Sequence, residues 1–361
     1  MARALGLGGS ERQLAEMAKA LDRDEFEPHV ACFHDDGFRA EELRVAGVPL
    51  LPLPVRSLVS SSAIHGAMQL GRYVRRHEIQ IVHTFDVPLN LFGVPAASFF
   101  RAPRVISSQR AFRELTPGLH HHLLRLTDRL VDAIVVNCEA VRQDLITNDR
   151  VPASLIHLCY NGIDTDRFQP LAAPRPAPLA DATIVIGTVC AVRPEKGLET
   201  LLEAFARLAP YPGLRLAIVG SGPWLPQLEA LAARLGIADA CLFQSATSEV
   251  PEWLHAIDIF VLPSLSEALS NSLMEAMACG CAAVASSVGG NPELVKHLET
   301  GLLFRPRDSA DLAGCLDLLI RDATLRRRLA MAAAERIHTQ FTIRRAACRL
   351  AEIYRRVLNA A

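Results

Sequence analysis

Short apolar runs alternate with amphipathic helical patterns along almost the whole chain, and this alternation limits the possible folds more than any other feature. In the first half, buried strands are predicted at 30–33, 79–83, 104–108 and 133–137, and helices between them at 10–21, 63–76 and 120–131. Strands that alternate with helices form crossover units, which build a parallel sheet covered by helices on both faces. The sequence therefore predicts an α/β fold.

A proline-rich segment interrupts the alternation once. Residues 169–182 contain four prolines and show no periodicity, which is typical of a linker. The alternation then restarts, with strands predicted at 183–192, 214–220, 240–244, 257–262 and 282–286 and helices at 198–208, 224–235, 251–256, 271–279 and 291–297. We therefore expect two doubly wound parallel-sheet domains, at 1–168 and 183–341.

The last predicted helix, within 342–361, needs a partner surface. It carries an apolar stripe formed by Ala346, Leu350, Ile353, Tyr354 and Val357. We expect this helix to pack back on the first domain.

Composition excludes several classes of protein. Of the 361 residues, 50% are hydrophobic and 21% charged, which excludes a disordered chain, and the net charge of −1 gives no overall field that would recruit nucleic acid. The nine cysteines are scattered, and the Cys279–Cys281 pair has no second pair to complete a zinc site. No apolar run is long enough for a membrane span and no signal peptide is evident, so we expect a cytoplasmic protein.

The amino-terminal segment contains a double glycine in front of a helical pattern. Only seven residues precede Gly8 and Gly9, so the first strand is predicted to be short or missing. The two glycines would let a phosphate or an acceptor approach the sheet closely, or they form an ordinary tight turn.

The segment with the strongest pattern of candidate ligand-binding residues extends from Leu262 to Glu293. A predicted strand ends at Leu262, a loop carries Glu267, and a helix that starts near Ser270–Ser272 carries Glu275. The positive end of a helix favours phosphate or sugar hydroxyls, so two carboxylates eight residues apart can hold an elongated polar ligand at two places. Alternatively, Ser272 and Glu275 form a capping box and Glu267 is an exposed loop charge.

A second segment, 193–197, follows the first strand of the second domain. Open α/β sheets bind ligands at the carboxyl ends of their strands, where Arg193 and Lys196 could neutralise a diphosphate while Gly197 allows close approach. The alternative is a solvated turn in which Glu195 pairs with a neighbouring base.

Four further patterns are weaker. Gly220-Ser-Gly222-Pro lacks the third glycine of a nicotinamide-binding fingerprint, and His83 ends a strand as either a structural or a catalytic group. The consecutive histidines 120–122 point in different directions on a helix, which favours a solvated face over a metal site. The Asp164-Thr-Asp166 spacing favours a turn over a divalent-metal site.

One helix has the character of a membrane-surface helix. Basic and apolar residues adjoin one another in 63–76, namely Arg72, Arg75 and Arg76 beside Leu70, Tyr73 and Val74. Such a helix docks on anionic lipid, or it is an ordinary surface helix.

Taken together, these segments resemble the retaining glycosyltransferases of family 4, which have the GT-B fold. The family's Glu-x7-Glu motif is matched by Glu267 and Glu275, and its Arg-x-x-Lys-Gly motif by 193–197. The matches continue in the same order as in the family, with "GG.ER" at 8–12, "VHT" and a later Asn-x-x-Gly at 82–93, and "NG.D..RF.P" at 161–170. The resemblance implies two Rossmann-like domains that face each other across a cleft.

The resemblance also implies a substrate and roles for individual residues. The chain would transfer a hexosyl unit from a nucleoside-diphosphate sugar to a hydroxyl of a saccharide or lipid-linked acceptor, with retention, in polysaccharide or glycolipid biosynthesis. Arg193 and Lys196 would hold the diphosphate and Glu267 the sugar, Glu275 would hold the ribose, and His83 would lie on the acceptor side. Further donor contacts would come from Gly8, Gly9, Gln244, Ser245, Ala246, Ala268, Leu269, Ser270 and Asn271.

The same resemblance implies chemistry without a metal or another cofactor. The cations and the helix terminus would stabilise the leaving diphosphate, and attack from the front face would retain the anomeric configuration. Peripheral contact with an anionic membrane and an absence of nucleic-acid partners are expected. Alternatives are a sugar-nucleotide 2-epimerase on a GT-B-like fold, a catalytically weak nucleotide-sugar-binding protein and, disfavoured by the broken glycine fingerprint, an NAD-dependent oxidoreductase.

Overall fold

A computed structural model describes residues 1–6, 8–116, 118–208 and 211–360. By their internal contacts the residues divide into two compact units. Unit 1 comprises Met1–Gly162 and Ile343–Ala361, and unit 2 comprises Ile163–Thr342. Every strand pairing in both units is parallel, as the alternation predicts.

Unit 1 is a parallel sheet flanked by helices. Its strands are β1 (Val30–Cys32), β2 (Leu50–Pro52), β3 (Ile81–Thr84), β4 (Arg104–Gln109), β5 (Ala133–Val136) and β6 (Ile156–Leu158). Its helices are α1 (Gly9–Ala20), α2 (Phe38–Val45), α3 (Ser61–Arg76), α4 (Val87–Phe99), α5 (Gly118–Thr127) and α6 (Glu139–Thr147), joined by α14 (Ile343–Asn359) from the far end of the chain. The expected return of the last helix is confirmed, because α14 packs on α1 with Ala346, Leu350, Ile353 and Val357 in one core cluster.

Residues 1–3 join the two parts of the unit 1 sheet, which are β1–β2 and β3–β4–β5–β6. Ala2 bridges to Cys32 in parallel, and its amide donates to the Ala31 carbonyl at 3.1 Å. On the other side the Met1 amino group donates to the His83 carbonyl at 2.6 Å. The place of a first strand is thus held by a single bridge, next to a cavity of about 410 Å³ lined by α1, α3 and α14.

Unit 2 has six strands in one parallel sheet. They are β7 (Ile184–Val189), β8 (Leu214–Val219), β9 (Cys241–Gln244), β10 (Ile259–Leu262), β11 (Ala282–Ser286) and β12 (Leu302–Phe304). The helices are α7 (Leu198–Ala206), α8 (Leu225–Arg234), α9 (Val250–Ala256), α10 (Asn271–Ala278), α11 (Asn291–Leu294), α12 (Ser309–Arg321) and α13 (Ala323–Gln340). The central strands are buried on both faces, which explains their continuous apolar runs.

The proline-rich segment 169–182 is part of unit 2. Arg175 forms a 2.6 Å ion pair with Asp258, and Leu179 is fully buried. Residues 163–168, which the sequence places in the first domain, belong to unit 2, where Ile163 bridges to Thr342. Within the described residues, no helix combines the length and apolar character needed to cross a membrane.

His83 ties β3 to α14 inside unit 1. Its Nδ1 lies 2.8 Å from the Tyr354 hydroxyl and its Nε2 lies 2.9 Å from the Ser108 hydroxyl. Burial, with smaller contributions from the Met1 amino group and Arg110, lowers the pKa of His83 well below its ordinary value. The folded protein therefore holds this imidazole neutral.

The neutral His83 predicts a loss of stability in mild acid. The unfolded chain takes up a proton near pH 6.5 and the folded chain does not, so the free energy of unfolding should fall as the pH drops below 6.5. One such group contributes up to about 1.4 kcal/mol per pH unit. Urea unfolding between pH 7.5 and 5 should show this slope, and His83→Asn should reduce it.

His122, which is exposed on α5, gives the matched control. His122→Asn should leave the pH dependence unchanged. An equal slope in wild type and His83→Asn would contradict the assignment.

Candidate functional site

The sheet of unit 2 contains a point from which the chain adds strands in opposite directions. The strand order is β12–β11–β10–β7–β8–β9, so β7 and β10 are neighbours. After β7 the chain continues to β8 on one side, and after β10 it continues to β11 on the other, so the two loops diverge. Ligands of open α/β sheets bind in the crevice that this divergence leaves at the carboxyl ends of the strands.

Lys196 and Glu267 meet at this point. The 3-10 helix Pro194–Lys196 follows β7, and Glu267 lies in the loop after β10. Lys196 Nζ lies 2.6 Å from Glu267 Oε2, and the two side chains are 18% and 14% exposed. The sequence singled them out in separate motifs, and the structure brings them into one ion pair.

Glu267 determines the charge state of Lys196. Burial alone would lower the pKa of Lys196, but the charge and hydrogen bond of Glu267 outweigh it and raise that pKa. The ammonium group is therefore retained at neutral pH in a largely buried place, where it is available to an anionic ligand.

Ser264 is a site residue that sequence reasoning missed. Its hydroxyl donates to Glu267 Oε2 at 3.0 Å, and its own carbonyl accepts a 2.6 Å hydrogen bond from the Ser286 hydroxyl at the end of β11. Both serines are fully buried. The sequence offered one signal for these serines, which was their position at the ends of two predicted strands. The carboxyl ends of parallel strands meet at one edge of the sheet, so neighbouring strands would bring the two serines together.

Gly197 brings the two loops together. Its φ of +61° lies in the left-handed region, and a Cβ atom there would lie 2.4 Å from the Pro263 carbonyl oxygen. A second contact joins the same two loops, because the Leu265 amide donates to the Glu195 carbonyl at 2.8 Å. Only glycine accommodates both the backbone angle and this distance.

Helix α10 begins beside the Glu267 loop. Its N-cap is Ser270, whose hydroxyl accepts from the Leu273 amide at 3.3 Å. The alternative in which Ser272 caps the helix is therefore wrong, although the predicted start near Ser270–Ser272 is confirmed. The loop is held by the Gly290 amide, which donates to the Ala268 carbonyl at 2.8 Å.

Glu275 lies one turn inside α10 and is only 3% exposed. Unlike Glu267, it is set within the helix. Its role toward a ribose remains a prediction, as do the roles of Leu269 in the loop and of Asn271 at the start of α10.

Packing explains the two glycines of the segment Gly220-Ser-Gly222, which follows β8. A Cβ on Gly220 would lie 1.8 Å from the Cys190 carbonyl oxygen, and one on Gly222 would lie 2.0 Å from that of Val192. These glycines let the loops after β7 and β8 touch. Packing therefore explains both glycines without a nicotinamide-binding role.

The predicted base-binding segment, Gln244, Ser245 and Ala246, lies at the end of β9 next to this loop. The Gly220 amide donates to the Gln244 carbonyl at 2.8 Å, and the Ala246 amide donates to the Ser221 hydroxyl at 3.0 Å. The segment is thus fixed at the carboxyl edge of the same sheet, two strands from β7.

Arg193 lies in the same loop as Lys196 but points differently. Its side chain is 62% exposed, and its guanidinium lies 3.8 Å from Glu195. The structure therefore brings Lys196, but not Arg193, to Glu267. Arg193 thus follows the alternative, in which Glu195 pairs with a neighbouring base, whereas Lys196 pairs with Glu267.

The remaining predicted residues lie in unit 1. Gly8 is the N-cap of α1, and Gly9 is the first residue of that helix. His83 has both ring nitrogens within hydrogen-bond distance of hydroxyls and is 8% exposed, which favours the structural interpretation.

Two of the weaker patterns follow the interpretation that the sequence favours, a turn at Asp164 and a solvated face at the histidines. Asp164 Oδ1 accepts from the amides of Asp166 and Arg167, as expected of turn chemistry. His120 and His122 are exposed, whereas His121 Nε2 lies 2.7 Å from Asp149.

The apolar residues named for a membrane-surface face of α3 turn inward. Leu70 and Val74 are buried in the core of unit 1, and Tyr73 packs against that core. Arg72, Arg75 and Arg76 are exposed. Because these apolar residues are used for folding, the structure favours the alternative of an ordinary surface helix.

Gly197→Ala should weaken both the fold and the site. The left-handed backbone angle alone costs about 1 kcal/mol for alanine, and displacement of the Pro263 loop adds to it. We expect a loss of about 2–3 kcal/mol in the free energy of unfolding, measured in urea.

Gly236→Ala is the matched control, since Gly236 has a φ of +69° and nothing within 4 Å of its Cβ position. The free energy of unfolding of this variant should fall only by the part that comes from the left-handed backbone angle. Equal losses in the two variants would show that the 2.4 Å approach has no consequence.

Two family models match the chain in succession. The model "Glycosyltransferase Family 4" matches residues 7–167, and "Glycosyl transferases group 1" matches residues 173–336.

Named relatives agree with these models. The chain is 30% identical over 326 residues to a GDP-mannose-dependent alpha-(1-6)-phosphatidylinositol monomannoside mannosyltransferase of Mycobacterium tuberculosis, covering 84% of this chain and 80% of that protein. It is 36% identical over 219 residues to a D-inositol 3-phosphate glycosyltransferase of Stackebrandtia nassauensis, covering 56% of this chain but only 49% of the relative. The match thus spans about half of this second relative.

Solved structures share the fold. Anabaena Alr3699/HepE in complex with UDP-glucose superposes with a TM-score of 0.86 at 21% identity, over 98% of this chain and 99% of that one. A glycosyltransferase from Rickettsia africae gives a TM-score of 0.83 at 18% identity, over 100% and 98%. Parallel sheets in two units and these neighbours show the GT-B fold. The chain belongs to glycosyltransferase family 4.

Proposed function

We propose that the protein transfers a hexosyl unit from a nucleoside-diphosphate sugar to a hydroxyl of a saccharide or lipid-linked acceptor, with retention of configuration, in polysaccharide or glycolipid biosynthesis. The observation that carries the proposal is the Lys196–Glu267 pair at the point where β7 and β10 diverge. The GDP-mannose dependence of the Mycobacterium tuberculosis relative and the UDP-glucose bound by Anabaena Alr3699/HepE support a nucleoside-diphosphate hexose.

Donor binding requires the pair to exchange partners. The diphosphate takes the place of the Glu267 carboxylate at Lys196 Nζ, since it carries more charge. Arg193, which is exposed on the same loop, adds a second cation. The carboxylate that is released accepts hydrogen bonds from sugar hydroxyls, and the α10 N-terminus contributes its positive dipole end.

The transfer step then proceeds on the face from which the diphosphate leaves. The bond between the anomeric carbon and the diphosphate oxygen breaks, the acceptor oxygen bonds to that carbon on the same face, and the acceptor proton passes to the departing diphosphate. Lys196 stabilises the charge that develops on the leaving group. Because the acceptor itself attacks on that face, no protein nucleophile is needed, and Glu267, held by Ser264, positions the sugar and does not attack it.

Other residues complete the donor site in this proposal. Glu275 holds the ribose, the backbone at Gln244–Ala246 faces the base, and the backbone at 268–271 completes the sugar pocket. The resemblance also assigns Gly8 and Gly9 to the diphosphate, and this stays a prediction. His83 has no proton-transfer step here, because its nitrogens face Ser108 and Tyr354.

We propose that transfer needs no metal, because Lys196 and the helix terminus supply the positive charge. The rate in EDTA should equal the rate in added Mg²⁺ or Mn²⁺. A rate that vanishes in EDTA and returns with metal would contradict this.

Lys196→Ala should reduce the transfer rate by about 10² or more, by analogy with the loss of one oxyanion-hole donor. The rate is measured as release of nucleoside diphosphate under saturating donor. Lys296→Ala is the control, since Lys296 is exposed in the same unit, and it should keep full activity. A Lys196→Ala variant with an unchanged rate would remove Lys196 from the mechanism.

Glu267→Gln should impair sugar transfer far more than nucleotide binding. We expect a loss of about 10² in rate with an affinity for the nucleoside diphosphate that is not weakened, because the amide no longer competes for Lys196. Calorimetric titration and product release measure the two quantities. Glu299→Gln, exposed elsewhere in unit 2, is the control, and parallel loss of both quantities would mean that Glu267 has another role.

The function itself is tested by incubation with uridine, guanosine and adenosine diphosphate sugars and a saccharide acceptor. Free nucleoside diphosphate together with an α-linked product from an α-linked donor supports the proposal. An epimerised sugar nucleotide, with neither free nucleoside diphosphate nor a glycosylated acceptor, indicates the epimerase, and binding without turnover indicates a binding protein.

A further inference from the structure

Arg110 is a partly buried cation of unit 1 that has no counter-ion. It directly follows β4, and one of its guanidinium nitrogens donates to the side-chain oxygen of Asn161. The guanidinium also lies over the Phe85 ring, 5.4 Å from its centre. Among the described residues no carboxylate lies within ion-pair distance of Arg110. The cation is therefore held by a neutral amide and an aromatic ring.

The groups around Arg110 do not balance its charge. Burial lowers the pKa of Arg110 to about 10, so the guanidinium is still charged at neutral pH. The nearby Cys159 is a thiol, because burial raises its pKa to about 11. Buried charges in proteins are normally paired with an opposite charge. The missing partner of Arg110 is therefore an anion from outside the chain.

Arg110 lies at the edge of the unit 1 sheet where a ligand is expected. Residues 1–3 bond to β1 on one side and to β3 on the other, and the chain crosses from β2 to β3. The amide of Phe85, which directly follows β3, donates to the Met1 carbonyl at 3.0 Å. The ring beneath the guanidinium thus lies where strand addition reverses, and open α/β sheets bind ligands at such a point.

The end of the neighbouring strand provides a hydrogen-bond acceptor. Asn137 directly follows β5, and the pairing of Gln109 with Val136 places Arg110 and Asn137 side by side along the two strands. Asn137 is 2% exposed, and its Oδ1 has no hydrogen-bond donor among the described residues. A buried amide oxygen of this kind needs a donor, which a hydroxyl group supplies.

On the basis of the proposed function, we propose that the sugar acceptor carries an oxyanion, a phosphate or a carboxylate, and that Arg110 binds it. The planar guanidinium donates two parallel hydrogen bonds to either group. Asn137 accepts a hydrogen bond from a hydroxyl of the same molecule. Arg110 thereby selects the acceptor, whereas no bond of the substrates is made or broken at this place.

Arg110→Gln should leave the fold intact, because glutamine retains a donor for Asn161 and removes an unbalanced cation. Urea unfolding should occur at the same or a higher concentration than in wild type. Arg113→Gln is the contrast, since Arg113 is buried and forms hydrogen bonds of 2.7 and 2.8 Å to the Asp128 carboxylate. This variant should unfold at a lower concentration. An equal loss in Arg110→Gln would show that Arg110 serves the fold and would overturn the proposal.

Binding is tested by calorimetric titration of the full chain with three anionic compounds and their neutral parents. Glucose 6-phosphate represents a free sugar phosphate, glucuronate a sugar acid, and the decyl phosphodiester of glucose a lipid-linked phosphate. Glucose and decyl glucoside are the neutral parents. We expect at least one anionic compound to bind about ten-fold or more tightly than its parent, and the compound that does so identifies the source of the anion. Arg110→Gln should remove this preference, and Arg110→Lys should retain part of it.

Two control variants locate the site. Arg129→Gln removes an exposed arginine of the same unit and should keep the preference. Lys196→Ala removes the cation of the donor site and should keep it as well. The proposal would be overturned if no anionic compound bound better than its parent. A preference that survived Arg110→Gln, or that disappeared in Lys196→Ala, would overturn it too.

Kinetics separate the acceptor site from the transferase activity. With an anionic acceptor, Arg110→Gln should raise KM about 10- to 100-fold and change kcat little, because the contact is the same in the ground state and the transition state. Transfer that Arg110→Gln leaves unchanged would keep the transferase and overturn the acceptor proposal. Anion binding that depends on Arg110, without release of nucleoside diphosphate from any donor, would overturn the transferase and leave an anion site.

Discussion

The ion pair between Lys196 and Glu267 depends on the topology of unit 2, and the account of function depends on the ion pair. Its two members are 71 residues apart in the sequence. They meet because β7 and β10 are adjacent at the point where strand addition reverses. A largely buried ammonium and carboxylate stabilise each other only in good geometry, and removal of one leaves the other uncompensated. The pair is therefore both a structural contact and a place where a more highly charged ligand can displace one partner.

Glycines and serines around the pair give it that geometry. Gly197 permits the loop after β7 to touch the loop after β10, and Ser264 and Ser286 link the carboxylate to the next strand. These residues would contact no substrate in our proposal, yet they fix where the charged atoms lie. A site built in this way is preorganised, and preorganised charge stabilises a leaving group without reorganisation during the reaction.

Much of the fold can be predicted from the sequence. The elements that could not be predicted were missed for physical reasons. The long strands were predicted within a few residues because both faces are buried and their apolar runs are continuous. The strands β2, β6 and β12 were not, because each has three residues and is only partly buried, whereas β1, of the same length, is buried throughout. Within the site, motif spacing indicated Lys196 and Glu267, whereas Ser264 depends on which strand ends are neighbours. Local pattern also left the apolar face of α3 open to two interpretations, since periodicity shows that a helix has an apolar face but not which surface covers it.

The most direct test is a crystal structure of the protein with a bound nucleoside-diphosphate sugar. The account predicts a diphosphate oxygen within hydrogen-bond distance of Lys196 Nζ, with the Glu267 carboxylate turned from the lysine to the hydroxyls of the sugar. A donor that binds elsewhere in unit 2 while Lys196 and Glu267 remain paired at 2.6 Å would contradict it.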